Sequence, residues 1–283
     1  MPSIDTHVGQ KGLKAIPQIK NIIAVASGKG GVGKSTVAVN LALALAKNAR
    51  VGILDADIYG PSQPFMLGVQ DPPELKEKKT LLPVMAHGIQ SMSIGYLIHQ
   101  NTPMIWRGPM VSMALQQLIH DTAWDSLDYL IIDLPPGTGD IQLTLAQKIP
   151  VSGAVIVTTP QDLALLDVRR AYEMFHKVNV PVLGVIENMS MHVCSQCQHK
   201  EPIFGEGGGE RLAAECGIDF LGSLPLDRNI RQQTDGGLPT VLADPDSSNA
   251  AIFRAMADAL VTKIAALPKD YSHKFPTIVV KNT

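Results

Sequence analysis

Ile22-Ile-Ala-Val-Ala-Ser-Gly-Lys-Gly-Gly-Val-Gly-Lys-Ser-Thr36 is the stretch on which the fold turns. An apolar run of strand length meets a glycine-rich turn, and the turn opens into an apolar helix. Gly28, Gly33, Lys34 and Ser35 fit G-x-x-x-x-G-K-[ST], the phosphate-binding loop. Glycines let the backbone come close to a polyphosphate with its N–H groups turned inward. The helix that follows aims the positive end of its dipole at the same point. Gly28, Lys29, Gly30, Gly31, Val32, Gly33, Lys34, Ser35 and Thr36 are therefore the expected nucleotide-binding segment. Lys34 would reach the β- and γ-phosphates, and the Ser35 hydroxyl would sit on magnesium.

Outward from this loop, apolar runs alternate with helical segments. The runs are Ile22–Ala26, Val51–Leu54, Tyr129–Ile132, Ala154–Thr158 and Val182–Ile186. The helical segments are Ser35–Lys47, Met110–His120, Ile141–Lys148, Leu163–Lys177 and Asn249–Ala266. The runs are continuous rather than alternating, as in parallel strands covered on both faces. The expected class is α/β, a doubly wound and mainly parallel sheet. Residues 1–20 read as a leader or linker, 21–267 as the domain and 268–283 as a tail. Two regions break the rhythm. In Pro72–Leu97, Leu81–Ala86 and Ile89–Ile94 flank His87-Gly88 as a hairpin or edge insertion. Asn188–Glu210 is irregular and holds a cysteine pair.

The 283 residues are 45% hydrophobic and 18% charged, with a net charge of −2. Such a balance speaks against a general nucleic-acid binder, which carries a basic excess. No apolar run approaches the roughly 20 residues that span a bilayer. Three cysteines make no disulfide framework, and the first residues show no secretory or transit pattern. The expectation is a cytoplasmic protein with neither nucleic acid nor membrane as partner.

Carboxylates follow at the right places. Asp55-Ala-Asp57 ends the second strand, and Tyr129-Leu-Ile-Ile-Asp133 is an apolar strand closing on aspartate, the Walker B pattern that helps hold magnesium. In an open α/β sheet both would emerge where the ligand lies, beyond the carboxyl ends of the strands. Lys29 adds a second lysine to the loop. Together these segments resemble the deviant phosphate-binding-loop ATPases, the class of MinD, ParA and the nitrogenase iron protein. The resemblance implies ATP and Mg²⁺ as ligands. It implies that Lys29 crosses a dimer interface to the partner's nucleotide, that Asp57 positions the attacking water, and that Asp55 supports the magnesium region. Lys29, Lys34 and Asp57 are thus the expected catalytic residues, and Ser35, Asp55 and Asp133 the expected magnesium residues. Pro135-Pro-Gly-Thr-Gly139 resembles switch II, with Gly137 among the N–H groups that sense the γ-phosphate. Asn188, and Pro225 to Asp227, resemble the base-reading positions; Asp227 equally reads as an N-cap for Arg228–Gln233.

His192-Val-Cys-Ser-Gln-Cys-Gln-His199 brings Cys194 and Cys197 together as C-x-x-C. Soft sulfur at this spacing selects iron–sulfur clusters, zinc or Cu(I), yet two cysteines do not complete four ligands. His192 and His199 could complete a zinc site in one chain, or two subunits could share one cluster on a two-fold axis. A thioredoxin-like redox pair is a third option, but it normally opens a helix after a strand. The loop, Asp55–Ser62, Trp106-Arg-Gly-Pro109, Asp133–Asp140, Glu187-Asn-Met-Ser190 and the C-x-x-C together resemble the Mrp/ApbC iron–sulfur cluster carriers. That resemblance covers residues 20 to 265. It implies a homodimer in which Cys194 and Cys197 of each chain bind a labile, bridging 4Fe–4S cluster, passed between cluster scaffold proteins and apo iron–sulfur proteins with ATP hydrolysis in support. Here serine follows the first cysteine where proline is common, which leaves the ligand spacing intact. Cys216 lies outside the motif and reads as a small buried hydrophobe. A MinD- or ParA-like positioning ATPase shares the loop and switches. Pro268–Thr283, however, is proline-broken rather than a basic amphipathic helix. A regulatory ATPase with a structural zinc site is the remaining alternative.

Overall fold

The computed structural model describes residues 4–7, 9–10, 13–76, 80–98, 108–194 and 196–270. Its strands are β1 (Ile19–Ala26), β2 (Val51–Asp55), β3 (Leu75–Lys76), β4 (Thr80–Leu81), β5 (Val84–Ala86), β6 (Ile89–Ser93), β7 (Leu127–Asp133), β8 (Gly153–Thr158), β9 (Val182–Glu187), β10 (His192–Val193), β11 (Lys200–Glu201) and β12 (Phe220–Ser223). Its helices are α1 (Lys34–Leu45), α2 (Gln63–Met66), α3 (Gly108–His120), α4 (Asp140–Lys148), α5 (Asp162–Lys177), α6 (Gly208–Cys216), α7 (Arg228–Asp235), α8 (Thr240–Ala243) and α9 (Ser248–Ala265).

Eight strands form one sheet in the order β12-β9-β8-β1-β7-β2-β6-β5. Only β5, at the edge, runs antiparallel to its neighbour. The apolar runs are continuous because both faces are covered. Along β1, Ile22 and Ala24 join the core beneath α3 to α6, while Ile23 and Val25 join the core beneath α1 and α9. The first core is filled by Leu115, Leu145, Phe175 and Leu212, the second by Leu41, Phe253 and Leu260. Sheet register then places the chemistry. Asp133 lies opposite both Val25 and Asp55, so the two carboxylates end their strands side by side, one residue from where β1 turns into the phosphate-binding loop. The strand order reverses about β1, the switch point where such sheets take ligands.

Three regions differ from the sequence reading. The expected hairpin is real, with His87 and Gly88 both at positive φ (49° and 82°) in the turn, but it is no insertion: β6 pairs in parallel with β2 inside the main sheet. Pro83 cuts the first expected strand, since proline cannot donate to a ladder, leaving Leu81 to pair with β3. The irregular Asn188–Glu210 segment contains an antiparallel ribbon, β10 with β11, and the start of α6. The described part of 1–20 is packed on the domain. His7 is buried with its ring Nδ1 2.9 Å from Asn21 Oδ1, the Asp270 N–H donates to the Thr6 carbonyl, and β1 already starts at Ile19. Trp106 and Arg107, and most of the expected tail, lie outside the described residues.

Candidate functional site

The loop between β1 and α1 bounds a cleft of about 280 Å³ shared with Asp57, Ser62 and Pro136. Gly31 and Gly33 adopt φ of 82° and 81°, values that β-carbon-bearing residues avoid. A β-carbon on Gly31 would meet nothing within 4 Å, whereas one on Gly33 would lie 2.2 Å from Asn188 Nδ2. The Ser27 hydroxyl donates to the Lys29 carbonyl at 2.9 Å, fixing the loop's first bend. Lys29 is exposed on the cleft wall and forms no salt bridge with any described residue.

Beneath the loop lies a buried polar cluster. The Lys34 ammonium donates to Asp133 Oδ1 and, at 3.2 Å, to Ser35 Oγ. Asp133 Oδ2 accepts from Gln63 Nε2 at 2.9 Å. Asp55 accepts the N–H groups of Asp57, Ser62 and Gln63 at 2.9 to 3.1 Å and the Ser93 hydroxyl at 3.2 Å. Its carboxylate thereby folds the loop after β2 around itself. Burial, reinforced by the adjacent charge of Asp133, pushes the Asp55 pKa up to about 7. Asp57, half-buried on the cleft wall, is raised too, mainly by burial.

Switch II is pinned to the loop. The Gly137 N–H donates to the Ser27 carbonyl at 2.9 Å, with Gly137 at φ 98°. Gln142, from the first turn of α4, donates to the Pro136 carbonyl at 2.6 Å. Gln63, Gln142 and Ser93 were not legible as site residues. Each is a polar side chain buried at or near one end of an element, Gln63 opening α2, Gln142 in the first turn of α4 and Ser93 closing β6, and sequence spacing alone does not distinguish that from a solvated turn.

Asn188 sits at the other side of the loop. Its Nδ2 donates to the Val32 carbonyl at 2.9 Å, and its Oδ1 accepts the Met189 N–H at 2.9 Å. In this structure the amide braces the phosphate-binding loop, with one N–H and one lone pair left over for a base. Asp227 caps α7, accepting the Asn229 N–H at 2.6 Å. Pro225 lies in a stretch zipped to the segment after Asn188: the Ser190 N–H donates to the Leu224 carbonyl and the Leu226 N–H to the Met191 carbonyl, both at 2.9 Å. His192 Nδ1 lies 3.3 Å from the Leu226 carbonyl, extending the zipper by one residue.

That zipper leads straight into the cysteine ribbon. Cys194 follows β10, and the Cys194 N–H donates to the His199 carbonyl at 2.9 Å. Cys197 is exposed and Cys194 partly so, and all three cysteines are free thiols. The N–H groups of Cys197 and Gln196, with the Cys197 thiol, hold the Cys194 pKa below the usual thiol value, favouring the thiolate that binds metal. Among the described residues no group of three or more His, Cys, Asp or Glu side chains converges to hold a metal ion. The one-chain site with His192 and His199 is therefore not assembled. Cys216 is partly buried, and burial raises its pKa.

The family model for ParA, described as NUBPL iron-transfer P-loop NTPase, matches residues 18–261. The chain belongs to this family. The NTPase is 61% identical over 257 residues to the iron-sulfur cluster carrier protein of Pseudomonas fragi, covering 90% of each chain. It is 47% identical over 270 residues to the iron-sulfur cluster transfer protein NUBPL of Mus musculus, covering 93% of this chain and 85% of that one. Among solved structures, the nucleotide-binding protein of Archaeoglobus fulgidus in complex with ADP superposes with a TM-score of 0.69 at 40% identity, covering 78% of this chain and 88% of that one. No helix of the NTPase among the described residues is long and apolar enough to cross a membrane.

Proposed function

We propose that this P-loop NTPase is an ATP-hydrolysing carrier of a 4Fe–4S cluster, held between two copies of the chain and passed to apo iron–sulfur proteins. The observation that carries the reading is the Cys194–Cys197 pair of free thiols, exposed at Cys197 and partly exposed at Cys194. It offers two sulfur ligands from a ribbon that follows closely on Asn188, whose amide is hydrogen-bonded to the phosphate-binding loop. Two ligands per chain make half of a four-thiolate set, and a two-fold axis supplies the other half. Relatives named as carriers and transfer proteins support the cargo.

The residues around Asp133 fit magnesium. Ser35 Oγ, Asp55, Asp57 and Asp133 form an oxygen-rich set, and the buried Gln63 Oε1 beside them lacks a hydrogen-bond partner. When bound, magnesium neutralises charge on the phosphates. Ser35 and Asp133 would hold it, with Asp55 shaping the loop that carries Asp57. The loop N–H groups and Lys34 bind the phosphates, and Asp57, on the cleft wall, orients the attacking water. Gly137 reports on the γ-phosphate through its tie to Ser27. Lys29, free of intramolecular salt bridges among the described residues, reaches the partner's nucleotide. Asn188, Pro225 and Asp227 flank the adenine, and scaffold proteins are the proposed cluster source.

Anaerobic reconstitution with iron and sulfide tests this. The expected result is broad charge-transfer absorbance at about one cluster per dimer. Cys194→Ala and Cys197→Ala should abolish it while ATP hydrolysis persists. An unchanged spectrum in either variant, or zinc in place of iron and sulfide in protein purified without air, refutes the reading.

A further inference from the structure

Gln63, the first residue of α2, is fully buried. Its Nε2 donates to two acceptors, the Ser35 carbonyl at 3.1 Å and Asp133 Oδ2 at 2.9 Å. Both are oxygens, so the amide cannot be turned over without facing oxygen with oxygen. Its Oε1 is thereby fixed on the opposite side, where it is buried and has no hydrogen-bond partner. Buried acceptors without a donor are uncommon and call for an explanation. The Gln63 backbone N–H meanwhile donates to Asp55 Oδ2 at 3.0 Å. One residue thus touches the phosphate-loop helix, the Walker B carboxylate and the aspartate that folds the loop after β2.

The two oxygens of Asp133 are divided between different partners. Oδ1 faces the Lys34 ammonium, while Oδ2 is held by the neutral amide of Gln63. The orientation of Oδ2 therefore does not depend on Lys34. Magnesium dehydrates reluctantly and brings several waters to its sites, and each is a hydrogen-bond donor. The amide whose N–H groups hold Ser35 and Asp133 carries at its other end an unpaired oxygen, an acceptor such a shell can use. We propose that Gln63 is a positioning residue of the magnesium site: its N–H groups orient Asp133, and its Oε1 accepts a hydrogen bond from a cation-borne water. This rests on the reading above that magnesium binds with the nucleotide.

The test uses the full chain with ADP and needs no turnover. Gln63→Met keeps the volume and removes both polar ends. ADP affinity in EDTA should stay within about twofold of wild type, while Mn²⁺ affinity of the ADP complex, titrated by electron paramagnetic resonance, should fall by about tenfold or more, the usual effect of losing an outer-shell partner. Equal Mn²⁺ affinity in the two proteins overturns the inference, and so does an equal loss of ADP affinity with and without metal, which would mark simple loosening. Wild-type ADP binding that ignores Mg²⁺ would sink the magnesium reading itself, and this inference with it. If Gln63→Met does not fold, the wild type still decides. The side-chain amide resonances of ¹⁵N-labelled Gln63 should shift when Mg²⁺ is added to the ADP complex, and unmoved resonances refute the proposal.

Discussion

Substituting Lys34 by Met should damage the fold as well as the phosphate site. The Lys34 side chain is 6% exposed and Asp133 0%, so their ion pair is shielded from water. Removing one partner of a buried pair costs about 3–5 kcal/mol, because the remaining charge is left desolvated and unpaired. Two features place this site in the upper part of that range. Asp133 Oδ1 loses its cation while only Oδ2 keeps a donor, Gln63, and the fully buried Asp55 stands beside it as a further carboxylate. Against a total stability of about 5–15 kcal/mol for ordinary domains, the loss is large. Urea unfolding without nucleotide measures it directly. The double variant Lys34→Met with Asp133→Asn, which removes the stranded charge, should recover at least half of the deficit. A Lys34→Met protein within about 1 kcal/mol of wild type, a cost proper to an exposed pair, would refute the reasoning. A double variant no more stable than the single would do the same.

Further expectations concern the brace and the ribbon root. Gly33→Ala should cost more than Gly31→Ala. Both pay about 1–2 kcal/mol for the left-handed backbone, but only the Gly33 methyl displaces the Asn188 amide, adding about 0.5–1.5 kcal/mol for its hydrogen bond to Val32. Equal urea midpoints would remove the brace from the account. Burial raises the pKa of Glu187, which accepts the Gly209 N–H at 2.6 Å. A carboxyl raised in the folded state stabilises fully below its unfolded pKa, and that contribution is lost as pH rises through the folded value. Glu187→Gln should therefore melt higher than wild type at pH 8, with the gap closing toward pH 4.5 at no more than about 1.4 kcal/mol per pH unit; a gap that widens on acidification contradicts this.

The central strands were legible because a buried parallel strand is apolar on both faces, and the loop because strand, glycines and helix arrive in order. The cysteine pair was legible from spacing alone. What stayed hidden depends on contacts between distant segments. Nothing local marks Gln63 as the residue that will meet Asp133, 70 positions away. That the Asn188 amide also braces the loop at Val32 appears only in the fold. Likewise β6 looked like half of an isolated hairpin because its parallel partner, β2, lies more than thirty residues earlier. The described residues before β1 form no helix or strand, only the isolated bridge of His7 with Lys269, so neither repeat is required of them.

Between Val32 and Cys194 the chain has little backlash. Asn188 is tied to the loop, Ser190 and Met191 to the stretch through Leu226, and His192 to both Leu226 and Glu201. A slack connection would absorb a small shift of the phosphate loop in rotamer changes. A zipped one leaves such a shift fewer rotamers to dissipate in before it reaches Cys194. Under the two-copy grip proposed above, a sub-ångström shift at the loop would then show at the shared cargo, without any bond within the chain being broken.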